Sequence, residues 1–284
     1  MMAAEHASAT QTVPPEKIEW IGGCPTPPAP PVRPLHALVS VVKLVLNKED
    51  TRQVFEAVAA LSGRAGKRTF RRFVATPYGR RVVSEPVKLE EILSDRERLR
   101  AMPEGSFGRA YLAFMEGENL TPEGLIDSAA EAGIDFRGDT QFPEYRRLFL
   151  HLDVSHDLWH VLTGYGRDAL GELCNLCFTR AQTRNPGFRL IIWIGLLAMK
   201  LERPGQPFWR AANEARRMGL EAEWIPAQDV EALLPLPLGE VRRRLNILAP
   251  TVYNAIPEEV KRDLLKPKVK KTQAQREAEA AMAG

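Results

Sequence analysis

Three cysteines in 284 residues are too few for a disulfide framework and fit a reducing compartment. Cys174 and Cys177 have C-x-x-C spacing, but no second pair completes a structural zinc site, so helix-packed thiols are the reading. Nothing alternates at period two for long enough to build a sheet. No apolar run nears the roughly 20 residues that a spanning helix needs. The most apolar stretch, Leu190 to Met199, has ten residues and is apolar on every face, which predicts a buried core helix. Its alternative is the wall of a lipid-tail tunnel or a patch that dips into a bilayer, a role that Leu35 to Leu46 could share. The N-terminus lacks the apolar core of a signal peptide. Its first arginine is Arg33, and acids stand at Glu5 and Glu16, which disfavours a mitochondrial transit peptide. The expected setting is the bacterial cytoplasm.

What is present is mostly helix-forming. With 44% hydrophobic and 26% charged residues, the chain can build one sizeable core, and nothing forces two domains. Helical spacing or composition marks 35–47, 51–62, 86–98, 106–116, 122–132, 142–163, 171–184, 188–202, 206–218 and 238–246, with Gly or Pro between them. Residues 70–84 are the exception, expected as a loop or short extended piece. Eight prolines among the first 34 residues predict a disordered or extended arm over 1–33. A compact all-α domain then spans 34–256, and a basic tail, flexible or helical, covers 257–284. From Lys261 onward, seven Lys/Arg face three acids. This segment carries +4 of an overall +3, leaving the body near −1. Such a tail is attracted to anionic lipid. It also accounts for the pI near 8.8, and without an aromatic-interleaved basic patch no nucleic-acid partner is expected.

The most informative segment is His156-Asp157-Leu158-Trp159-His160, followed after eleven residues by Glu172. Three of the five histidines, His151, His156 and His160, fall within ten positions. Helical side chains four apart point the same way, so His156 and His160 can aim ring nitrogens at one divalent metal. Asp157, turned about 100° round the helix, either binds from the flank or holds a histidine as an outer acceptor that sets its tautomer. Gly164, Gly166 and Gly171 suit a helix stop and a tight turn that folds Glu172 back toward the histidines. Two imidazoles with one or two carboxylates suit zinc, iron or manganese. The plain alternative is a packed pair of helical histidines; the added carboxylates and glycine turn weigh against it. Arg180 and Arg184 are the cations nearest in sequence for a substrate anion.

These residues resemble the ubiquinone biosynthesis protein 4 (coenzyme Q biosynthesis protein 4) family, whose signature is H-D-x-x-H, eleven residues, then E. His156, Asp157, His160 and Glu172 match it without a gap, as does Gly171. The block from Leu99 to Tyr111 is similar to the family's upstream leucine, proline, glycine and tyrosine pattern, and Pro235 to Ile247 to its closing segment. The resemblance runs from about residue 35 to 252. It implies an all-helical protein acting on the aromatic head group of a polyprenylated 4-hydroxybenzoate-type lipid, with the ring carboxylate removed oxidatively and a hydroxyl left in its place. It also implies that the ubiquinone-synthesis enzymes are held together at a membrane, here on the cytoplasmic side of the bacterial inner membrane, with a homo-oligomer compatible. In the metal role, His156, Asp157, His160 and Glu172 would take zinc ahead of iron or manganese. The chain departs from the family at Leu176 and Thr179, where members often carry Lys and Glu.

Three functional classes follow. The first is a metal-dependent oxidative decarboxylase of ubiquinone assembly. The second is a non-catalytic lipid-binding scaffold with a structural metal. The third, a two-metal phosphohydrolase, needs more ligands than His6, His36 and His151 can supply.

Overall fold

Residues 12–46, 51–85 and 88–265 are described by the structure, a computed structural model. Seventeen α-helices run in chain order through them: α1 (Pro34–Leu46), α2 (Thr51–Ser62), α3 (Ala65–Val74), α4 (Pro77–Ser84), α5 (Leu89–Ser94) and α6 (Arg96–Arg100). Next come α7 (Phe107–Gly117), α8 (Pro122–Glu131), α9 (Pro143–Val154), α10 (His156–Thr163), α11 (Ala169–Thr183) and α12 (Phe188–Glu202). The set closes with α13 (Phe208–Glu221), α14 (Val230–Leu233), α15 (Leu238–Arg244), α16 (Thr251–Asn254) and α17 (Glu258–Asp263). The all-α expectation holds, with one small two-stranded hairpin added.

Helix starts follow local chemistry. Thr76 and Thr121 each precede a proline and accept a hydrogen bond from a backbone N–H three residues on, Gly79 and Gly124. Caps of this kind are worth about 1 kcal/mol each. Residues 70–84, expected as a loop or extended piece, are instead the end of α3 and all of α4. Phe70, Phe73 and Val74, then Tyr78, Val82 and Val83, repeat at helical spacing and are all buried; Thr76-Pro77 supplies the break between the helices. The single helix expected over 142–163 is divided at Ser155, whose hydroxyl donates to the His151 carbonyl. The one expected over 86–98 divides at Asp95, which caps α6 through Arg98 N–H.

Where it is described, the proline-rich arm carries a short hairpin of extended chain. Glu19–Ile21 (β1) pairs antiparallel with Cys24–Thr26 (β2). Gly22 and Gly23 between them both take positive φ, 59° and 83°, as a tight hairpin turn requires. Lys67 of α3 donates to the Glu19 carboxylate at 2.8 Å. Ile21 packs in a cluster with Phe70, Phe73, Tyr78 and Leu148, a burial worth roughly 1.5–3 kcal/mol. Prolines are tolerated here because the two-stranded hairpin leaves free edges. Residues 1–11, and 266–284 with most of the basic tail, lie outside the described residues.

The main core gathers Phe107, Tyr111, Leu158, Trp159, Phe178 and Phe208, with Trp159 and Phe178 edge to face at 5.9 Å. Cys174 and Cys177 are buried free thiols within it. Burial lifts the Cys177 thiol to about 12, so both are inert packing groups. The fully buried helix expected at Leu190–Met199 is only half so. In α12, Ile191, Gly195, Leu196 and Met199 are buried, whereas Trp193 and Leu197 are 60% and 55% exposed. α1 packs beside α12 and also turns apolar side chains outward, Leu35, Leu38, Val39, Val42 and Leu46.

Candidate metal centre

α10 ends where Gly164 adopts φ +79° and donates its N–H to the His160 carbonyl at 2.8 Å. A β-carbon is strained in that conformation. Four residues later Asp168 opens α11, its carboxylate accepting from Leu170 and Gly171 N–H. Gly171 permits this close turn, because a Cβ there would lie 2.1 Å from the Gly166 carbonyl oxygen. Glu172 thus enters the first turn of α11 facing α10.

The result brings the four expected residues together. The imidazoles of His156 and His160 have ring centroids 4.8 Å apart. Glu172 Oε2 lies 3.3 Å from His160 Nε2 and 3.9 Å from His156 Nε2. Asp157 Oδ1 is 3.4 Å from His156 Nδ1, the other nitrogen of that ring, which is the place of an orienting acceptor. Donor atoms of His156, Asp157 and His160 all fall within 4.8 Å of one another, so the flanking-ligand arrangement is also within reach. Phe114 stacks on the His160 ring at 5.6 Å and walls it from one side.

The tautomer of His160 follows from its surroundings. Nδ1 lies 3.0 Å from the Tyr165 carbonyl oxygen, which can only accept, so Nδ1 carries the proton. In the neutral ring Nε2 then presents a lone pair. It is buried without a hydrogen-bond partner among the described residues, and it faces a carboxylate oxygen. Two acceptors facing one another call for a cation between them, either a proton on Nε2 that makes an ion pair with Glu172 or a metal ion in its place. A tetrahedral site with bonds near 2.0–2.2 Å separates its donors by about 3.4 Å, close to the 3.3 Å found. The residues therefore fit a divalent ion of the zinc, iron or manganese type.

The carboxylates and imidazoles also favour one another's charged forms. Burial alone would raise the Glu172 carboxyl, but His160, His156 and the Arg167 guanidinium outweigh it and hold the group at about 2. Burial likewise opposes charge on His156, and the Asp157 and Glu172 carboxylates overcome it, moving that imidazole upward.

Three site residues were not singled out from the sequence. Arg167 Nε donates to Glu172 Oε1 at 3.1 Å. Asn175 Nδ2 lies 3.5 Å from His156 Nε2. Asp153 is pushed up to about 7, mainly by burial, and its Oδ2 has no partner. Asp153 stands three and four positions before His156 and Asp157, a spacing that could have marked it. Arg167 lies inside the glycine turn, where no periodicity points.

A cavity of about 950 Å³ adjoins the centre. His156, Asp157, Glu172, Asp153 and Arg167 line it, together with apolar groups such as Val41, Leu44, Val54, Phe55, Ile191 and Met199. The two departures, Leu176 and Thr179, line it as well. Arg180 and Arg184, the cations expected to meet a substrate anion, are not among its lining residues. Arg180 lies at the far end of α11, and Arg184 is the left-handed residue that closes that helix at φ 54°.

The model of the family described as "Coenzyme Q (ubiquinone) biosynthesis protein Coq4" matches residues 30–251. Among curated proteins, a Bos taurus ubiquinone biosynthesis protein COQ4 homolog is 30% identical over 46% of this chain and 48% of its own length. The Danio rerio homolog is 28% identical over 62% of each chain, and Yarrowia lipolytica COQ4 is 27% identical over 68% of each. All three are named as mitochondrial. The match thus spans between about half and two thirds of these relatives. A crystal structure from Nostoc punctiforme shares the fold at TM-score 0.54 and 18% identity, covering 75% of this chain and 98% of that one.

Proposed function

Since the chain belongs to the coenzyme Q (ubiquinone) biosynthesis protein Coq4 family, we propose that it acts in ubiquinone biosynthesis as a metal-dependent oxidative decarboxylase of a polyprenylated 4-hydroxybenzoate-type head group. The balance is ArCO2H + [O] → ArOH + CO2, with [O] drawn from dioxygen or from water and a two-electron acceptor. His156, His160 and Glu172 hold the metal, zinc ahead of iron or manganese, with Asp157 orienting His156 or joining the ligand set. Bound there, such an ion supplies Lewis acidity toward carboxylate and phenolate oxygens. The observation that carries the reading is the His160 Nε2 lone pair facing the Glu172 carboxylate at 3.3 Å, beside a large and mostly apolar cavity.

The chain's own residues divide the remaining work. The Tyr165 carbonyl and Phe114 hold the His160 ring in place. The apolar cavity wall accepts a prenyl tail and excludes water from the head group. No helix among the described residues is long and apolar enough to cross a membrane. The outward apolar faces of α1 and α12, with Trp193 beside Trp209, suit a membrane surface that delivers such a lipid. Lys43, Arg189 and Lys200 on those helices suit anionic headgroups. Other enzymes of ubiquinone synthesis and a second copy of the chain are the further partners proposed.

Metal content of the wild type and of His160→Ala and Glu172→Gln, followed by aerobic and anaerobic incubation with a short-tailed prenyl-hydroxybenzoate, tests the reading. Stoichiometric metal with metal-dependent loss of the ring carboxylate is expected. Stoichiometric metal with no product under any oxidant supports the lipid-binding scaffold instead. A folded, never-chelated protein without metal overturns both.

A further inference from the structure

We infer that Arg167 forms an anion subsite of the cavity, anchored on Glu172 through Nε while its Nη edge receives the carboxylate of an apolar-tailed aromatic acid. The inference rests on the reading above and deepens it by naming what selects an acid over its decarboxylated counterpart.

Four observations lead there. First, Arg167 is the one Lys or Arg among the described residues that line the cavity. Second, its side chain is 30% exposed, and among the described residues its only hydrogen bond is Nε to Glu172 Oε1 at 3.1 Å, so both Nη groups remain open. A guanidinium used at Nε still presents paired N–H donors, which suit a planar carboxylate.

Third, the charges require it. Asp157 and Glu172 together neutralise a dication, so an entering carboxylate would be uncompensated in a mostly apolar cavity, a costly arrangement. Arg167 supplies the one remaining positive charge. Asp153, the third carboxyl of the lining, is pushed up to about 7 by burial, so near neutral pH it opposes an entering acid less than a fully ionised carboxylate would. Fourth, the anchor fixes the position. Arg167 and Glu172 are both in or beside the constrained turn between Gly164 and Gly171, so the guanidinium is held next to the metal ligands rather than swinging in solvent.

A competing role must be separated: Arg167 could merely hold Glu172 in place. That role predicts a change in metal affinity with no change in ligand preference. The test uses the full chain loaded with zinc, and calorimetric binding of geranyl-4-hydroxybenzoate against the matching geranyl phenol that lacks the carboxylate. Wild type should bind the acid roughly 10- to 100-fold more tightly, the range for a charge-assisted hydrogen bond. Assayed at saturating zinc, Arg167→Met should reduce that ratio to near one while leaving the phenol's affinity unchanged. Arg167→Lys should retain part of the preference.

Equal binding of both ligands by wild type overturns the inference, and that comparison needs no variant. So does a zinc-saturated Arg167→Met protein that keeps its preference or loses both ligands equally. Failure of the decarboxylase reading looks different: the preference for the acid persists, but no ring carboxylate is lost. Turnover without preference, conversely, removes the subsite and leaves the enzyme.

Discussion

His160 Nδ1–H donates to the Tyr165 carbonyl oxygen at 3.0 Å, and its Nε2 faces Glu172 Oε2, 3.3 Å away. With Nε2 unprotonated both atoms bear lone pairs, and a metal ion shared between them would relieve the pair as a proton on Nε2 does. Zinc added at about one hundred times its Kd should therefore stabilise the fold by about 2.7 kcal/mol. At about 2–4 °C per kcal/mol for a chain of this size, Tm should rise by roughly 5–10 °C. Scanning calorimetry with zinc and then with chelator checks this, and Glu172→Gln should flatten the response.

His151 offers a pH signature apart from the ligands. It is buried beside Phe73 and Tyr78, with Nε2 3.2 Å from the Pro226 carbonyl oxygen. Burial depresses the imidazole from 6.5 to about 4, the Pro226 contact opposing only in part. Because the folded value lies below the unfolded one, the stabilisation is complete above pH 6.5 and is lost as pH falls through about 4. The loss attributable to this group is about 3 kcal/mol. Urea melts of wild type and His151→Gln at several pH values should diverge across that window and run parallel above it.

Tyr253 ties the far end of the chain to the glycine turn. Its hydroxyl donates to Asp168 Oδ2 and accepts from Gly166 N–H at 3.0 Å. Asp168 in turn caps the helix that carries Glu172. Tyr253→Phe leaves the Gly166 N–H unpaired, at a cost of about 1–3 kcal/mol. Loosening the turn should also weaken metal binding by about tenfold, as losses in the outer shell of a metal site do. Competition with a chromophoric chelator measures the second effect independently of the first.

Thr179 stands in the cavity wall with its Oγ1 buried and without a hydrogen-bond partner among the described residues. A buried unpaired hydroxyl is costly, so Thr179→Val, which keeps the shape, should stabilise the free protein by about 1 kcal/mol. A Tm rise of about 2–4 °C is the expected reading. Lower affinity for a hydroxybenzoate ligand in the same variant would identify the hydroxyl as a contact for the head group.

Much of the candidate site is local, and local features are legible. The i, i+4 spacing of His156 and His160 and the glycines before Glu172 describe one helix, one turn and the next helix. Short-range backbone geometry is enough to bring those residues together. The two-glycine turn of the N-terminal hairpin is equally local, although prolines surround it. Residues 70–84 are ambiguous in sequence because Phe and Val count toward strands, and only Thr76-Pro77 marks the end of one helix and the cap of the next.

The sequence by itself determined the helical class, most helix positions and the four-residue centre, because each depends on spacing within a few turns of chain. Only the tertiary structure decided the rest. Arg180 and Arg184 are near Glu172 in sequence yet stand off the cavity, whereas Arg167, in the turn, reaches both. The outward faces of α1 and α12, and the burial of Ile21 against α3, likewise depend on packing between segments far apart in the chain. Burial and charge compensation are properties of what surrounds a residue on every side, and no one-dimensional spacing encodes those neighbours.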